Sequence, residues 1–69
     1  MTVREVLENL YFCKDDLFVE LTVQGDYIDT AYDLDEALST FSSLLDHEVI
    51  KKRFILDEDD NEGFEIFAN

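Results

Sequence analysis

The sequence predicts an α+β domain in the order αββαββ, with two helices packed on one face of a four-stranded, mainly antiparallel sheet. Three observations carry that expectation. Thr2-Val3-Arg4-Glu5 and Asp33-Leu34-Asp35-Glu36 share the spacing of a capping box, and each precedes an apolar stripe at helical intervals. Leu17, Val19, Leu21 and Val23 alternate with Phe18, Glu20 and Thr22, which is the period of a half-buried strand. Gln24-Gly25-Asp26 and the acidic run from Asp57 to Gly63 supply turn chemistry between apolar segments.

Each element follows from its own pattern. Val3, Val6, Leu7 and Leu10 place the first helix over about residues 3–11, and the strand over 17–23 turns into a partner over 27–32. Leu34, Ala37, Leu38, Phe41, Leu44 and Leu45 form one continuous stripe, so the second helix is expected over 34–45. Residues 48–56 read as a third strand, with Ile50, Phe54 and Leu56 on one face and Lys51 and Arg53 on the other; 64–67 read as the last. Val6, Leu7, Leu10, Val19, Leu21, Leu38, Phe41, Leu45 and Phe54 are the expected core. Thr2/Asp33, Glu5/Glu36, Val6/Ala37, Leu7/Leu38 and Leu10/Phe41 match at one constant offset. Two αββ units, 2–32 and 33–69, would explain this, as would convergent capping chemistry in two amphipathic helices.

The 69 residues make a single small domain. At this size only about 60% of the unfolded chain's surface can be buried. Hydrophobic residues at 46% still exceed what a disordered acidic tail carries, so the chain is expected to fold. Eighteen Asp and Glu against five Lys and Arg give a net charge of −13, the charge of roughly 22 Å of duplex DNA. Self-repulsion on that scale opposes compaction and should make stability rise with salt. One cysteine excludes an internal disulfide and points to a reducing compartment, the cytoplasm. No apolar run has the ~20 residues of a membrane span, and no basic-then-apolar leader is present.

Few constellations suggest catalysis, and no cofactor or metal is expected. An EF-hand loop counted from Asp57 needs Gly at position six and Glu at position twelve, and here these hold Glu62 and Ala68. His47, between Asp46 and Glu48, is the single histidine and has no companion to complete a site, so the chain is expected not to be an enzyme. Ser39, Ser42 and Ser43 read as the polar face of the second helix. Cys13, beside Lys14, reads as a small apolar residue at the rim of the core. Lys51-Lys52-Arg53 is expected to pair with nearby carboxylates or to guard a sheet edge, since three cations cannot offset the surrounding field to bind nucleic acid directly.

The carboxylates themselves are the remaining candidate site. Asp29, Asp33, Asp35 and Glu36 gather where the second strand meets the second helix, and Asp57, Glu58, Asp59, Asp60 and Glu62 form a second block. Spaced negative charge is what a phosphate-binding groove recognises. Tyr27 and Tyr32 flank the first block as aromatic anchors of the kind that dominate interfaces.

Thr2-Val3-Arg4-Glu5-Val6-Leu7-Glu8-Asn9, the stretch Leu17-Phe18-Val19-Glu20-Leu21-Thr22-Val23-Gln24-Gly25 and Leu45-Asp46-His47-Glu48-Val49 together resemble short acidic proteins encoded by phages and prophages of Gram-positive bacteria. That pool includes anti-CRISPR proteins, several of which occupy the DNA-binding channel of a Cas nuclease. The resemblance implies a non-enzymatic inhibitor acting in the bacterial cytoplasm, whose partner is a basic nucleic-acid-binding protein, a Cas nuclease first among them. The alternative is a small phage accessory or assembly module, homodimeric, whose charge serves solubility. Acids clustered on one surface would favour the first, and scattered acids with an exposed apolar patch the second.

Overall fold

The computed structural model describes the backbone of residues 1–13 and 17–69 and the side chains of 1–10 and 17–69. Its elements run α1 (Val3–Cys13), β1 (Phe18–Val23), β2 (Asp26–Ala31), α2 (Leu34–Thr40), a 3₁₀ turn (Ser42–Leu44), β3 (Val49–Leu56) and β4 (Glu62–Ala68). Two helices and a four-stranded sheet confirm the α+β class. The 3₁₀ turn and a lone antiparallel bridge between Thr2 and Glu48 modify the plain αββαββ order. The readings of Cys13 and Lys14 fall on side chains outside the described ones.

The start of α1 is capped twice over. The Thr2 backbone N–H donates to Glu5 Oε1 at 3.0 Å, and the Glu5 N–H donates to Thr2 Oγ1 at 3.3 Å, the reciprocal bonds of a capping box. Val3 and Arg4, whose N–H groups have no partner inside the helix, donate to the carbonyls of His47 and Leu45, each at 3.0 Å. The helix is thereby fastened to the segment that leads into β3.

The second helix is shorter than its apolar stripe predicts. Ser39, Thr40, Ser42 and Ser43 offer the backbone competing hydrogen bonds and so weaken the helix after Thr40. Phe41 then leaves helical geometry at φ −100° and ψ 18°, while its N–H still donates to the Ala37 carbonyl at 2.9 Å. Its own carbonyl accepts from the Leu44 N–H at 2.8 Å, which opens the 3₁₀ turn. The change of helix type keeps Ala37, Phe41 and Leu45 all buried.

The sheet has the order β2-β1-β4-β3. Both hairpins are antiparallel, but β1 and β4 pair in parallel, from Phe18 opposite Gly63 to Val23 opposite Ala68. The sheet is therefore mixed, a correction to the mainly antiparallel expectation. The most buried strands take the two central places, where Leu21 and Ile66 lie side by side at 0% exposure. Gln24 and Gly25, at φ 52° and 85°, turn β1 into β2 with the left-handed pair of a type I′ hairpin.

One face of the sheet carries both helices. Val19, Leu21, Ala31, Ile66 and Ala68 meet Val3, Val6, Leu7, Leu10, Ala37, Phe41 and Leu45 there in a single cluster. Two expected core residues lie elsewhere. Leu38 is only partly buried against this cluster, and Phe54 is 54% exposed because it sits on β3, beyond the reach of the helices. On the helix-free face, Phe18 lays its ring over Gly63, where an added Cβ would coincide with the ring's far edge. Phe18 is only 8% exposed there, and the missing Gly63 side chain makes room for its ring.

Candidate functional site

Sheet topology decides which acids come together. Because β2 ends beside the start of β1, and β3 ends beside the start of β4, the β2–α2 junction and the β3–β4 turn lie at the same end of the sheet. Asp33, Asp35 and Glu36 occupy the first corner and Glu58, Asp59 and Asp60 the second, all exposed. Three strand spacings separate the corners, about 14 Å. That is of the order of the ~12 Å width of a DNA major groove.

The first corner is built by capping chemistry. Asp33 caps α2, its Oδ1 accepting from the Glu36 N–H at 2.7 Å, so its charge faces the helix start where a carboxylate is favoured. Tyr32, 66% exposed, stands next to it. Asp29 lies exposed on β2, its Oδ1 accepting from the Thr30 N–H at 2.8 Å. Tyr27 is set apart, opposite Thr22 towards the other end of the strand. Ile28 forms a bulge there, which turns Tyr27 and Thr30 to the same face and lets their hydroxyls meet at 2.6 Å.

In the second corner Asp57 organises the turn. Its carboxylate accepts from the backbone N–H groups of Asp59 and Asn61 at 2.8 and 2.9 Å and from Asn61 Nδ2 at 3.0 Å. Asp60 completes the turn in left-handed geometry at φ 62°. The bonds from Asn61, and then from Asp59, favour the charged form and hold the Asp57 carboxyl below the usual aspartate range. A depressed pKa gives stability that is complete above the ordinary value of ~3.9 and is lost as pH falls through the lower, folded value. The melting-temperature gap between the parent and Asp57→Ala is therefore expected to be constant near neutral pH and to narrow below about pH 4. A gap that stayed unchanged on acidification would contradict this role.

The group around His47 is used structurally. Its Nδ1 lies 2.5 Å from the Asn69 backbone carbonyl, and Glu48 Oε1 accepts from the Met1 ammonium at 2.7 Å. Among the described residues, no group of three or more His, Cys, Asp or Glu is arranged to hold a metal ion. No helix among them is long and apolar enough to cross a membrane.

Lys51, Lys52 and Arg53 lie on β3, the edge opposite β2. Arg53 Nε donates to Glu65 at 2.5 Å, Lys51 Nζ lies 5.7 Å from the Phe67 ring centroid, and Lys52 is exposed on the helix side. The same strand exposes Ile50, Phe54 and Leu56, at 63, 54 and 57%. Ile50 is the extra residue of a bulge between Val49 and Lys51, which removes it from the strand's alternation. Phe54 meets Phe64 edge to face at 5.6 Å but is otherwise open. Placing Phe54 in the core missed this exposed strip. The Lys51-Lys52-Arg53 cluster was the sequence sign of an edge.

Compared with protein-family models, with curated proteins and with solved structures, the chain finds no match.

Proposed function

We propose that this protein engages a basic nucleic-acid-binding protein through its acidic end and blocks the DNA or RNA site, a Cas nuclease being the first candidate target. The carrying observation is the placement of Asp33, Asp35 and Glu36 at the same end of the sheet as Glu58, Asp59 and Asp60. Three of the described cations, Lys51, Lys52 and Arg53, lie along β3. The six exposed acids at that end concentrate negative charge, with Glu5, Asp26, Asp46 and Glu48 exposed outside it, and such a concentration suits steering towards a basic channel. In this reading Tyr32 supplies the aromatic contact beside the first corner, with Asp29 behind it, while Asp57 holds the second corner in shape.

The test uses a guide-loaded Cas nuclease with duplex DNA as competitor. Binding should compete with DNA and weaken steeply with salt, as the Debye length shortens from ~10 Å at 0.1 M to ~3 Å at 1 M. Asp33→Asn/Asp35→Asn/Glu36→Gln should bind at least about tenfold more weakly while melting no lower than the parent, because Asn remains a good cap and repulsion is relieved. Equal affinity with an unchanged salt slope would refute electrostatic mimicry. The exposed apolar strip of β3 supports the second reading, an accessory module that assembles with itself. That reading stands if the chain ignores every basic partner tried in host-lysate pull-downs.

A further inference from the structure

Residues 51–59 read Lys-Lys-Arg-Phe-Ile-Leu-Asp-Glu-Asp: three cations, three apolar residues, three acids. Reversed, the same nine positions carry the opposite charges. Two copies laid antiparallel about Ile55 therefore set Arg53 against Asp57 and Phe54 opposite Leu56, and bring Lys51 and Lys52 of one copy alongside the Asp57–Asp60 turn of the other, which carries Glu58 and Asp59. From this self-complementarity on an exposed edge we infer that β3 pairs antiparallel with β3 of a second copy, giving a two-fold dimer with one continuous eight-stranded sheet. The inference specifies the geometry of the self-assembly in the second reading above and does not depend on the acidic end having a basic partner.

The backbone fits this register. The Asp57 N–H donates across the hairpin to the Asn61 carbonyl at 3.1 Å, so by strand alternation Ile55 and Arg53 also turn their backbone groups to β4. Phe54 and Leu56 turn theirs to the open edge, and the Ile55-centred register makes those two residues a hydrogen-bonded pair in both directions. Neighbouring registers that keep each side chain on its face are worse. Centring on Arg53 puts two guanidinium groups opposite each other, and centring on Phe54 leaves Lys52 against Leu56 and Arg53 against Ile55. A strand carrying charge of a single sign would meet like charge along one half of the edge, so the pattern favours a copy of itself.

The side chains add the apolar part. Phe54 and Leu56, both more than half exposed, would meet their counterparts on the helix side, next to Phe64. Asp57 stays ionised while holding its own turn, so its charge remains present for the second copy's Arg53. Such a dimer covers the chain's cationic stretch and leaves the Asp33–Glu36 corner of each copy facing outwards.

Sedimentation of the 69-residue chain alone, with no basic partner, tests the idea. A dimer is expected to form at concentrations up to roughly 1 mM. Lys51→Glu/Lys52→Glu and Glu58→Lys/Asp59→Lys should each associate at least about tenfold more weakly, with unchanged far-ultraviolet circular dichroism. Mixed in equal amounts, the two variants should form the heterodimer at parental strength, since every charge pair is then restored with its sign inverted at one end. A parent that stays monomeric throughout, variants that dimerise as well as the parent, or a mixture that remains monomeric would each overturn the inference.

Discussion

Phe41→Ala is expected to lower the chain's stability severely, to a marginal folded state or none at 25 °C. The ring is 0% exposed and among the largest fully buried side chains, so its removal should cost about 3–5 kcal/mol in lost burial and cavity formation. A chain of this length has roughly 3–10 kcal/mol of stability in all. Urea unfolding followed by circular dichroism would show the native baseline shortened or absent. Leu38→Ala, on the same helix but only partly buried, should keep a full cooperative transition. Equal midpoints for Phe41→Ala and the parent would place the core elsewhere.

Gly63→Ala should destabilise by about 1–3 kcal/mol, an unusual result for a strand glycine. Alanine normally improves a strand interior, because glycine there carries an entropic cost of roughly 0.5–1 kcal/mol. Here the new methyl would occupy the space of the Phe18 ring and force it off the sheet into water. A double-mutant cycle separates the two effects: with Phe18→Ala already in place, Gly63→Ala should become neutral or stabilising. Strict additivity of the two substitutions would show that the ring and the glycine do not depend on each other.

Local chemistry was legible in the sequence, and pairing between distant segments was not. Thr2 with Glu5, Asp33 with Glu36, and the Gln24-Gly25 turn act within a few residues, so the cap and turn patterns identified them directly. The alternation of Leu17 to Val23 revealed a two-faced strand but could not say which strand lies beside it, since period two is the same for parallel and antiparallel neighbours. Phe54 looked inward because it follows that period; its exposure depends on how far two helices extend over a sheet whose strand order was unknown. The stripe from Leu34 to Leu45 stayed apolar through the 3₁₀ turn, so periodicity concealed the break after Thr40. The acidic corners were each visible as runs of carboxylates. Their shared end of the sheet follows from β1 and β4 running the same way, which no local pattern encodes.

That parallel pair also sets a schedule for synthesis. The strand flanking Leu21 in the middle of the sheet contains Ile66, so the centre stays open while the ribosome makes everything between them. Until then the first hairpin and its helices have half a floor, with Val19 and Leu21 lacking their neighbours Phe64 and Ile66. Such long sequence separation raises contact order and slows closure relative to two hairpins folding in turn. The chain therefore commits to its native state late and all at once, and a chain truncated before residues 62–68 would expose an acidic, incompletely covered hairpin as a substrate for chaperones and proteases.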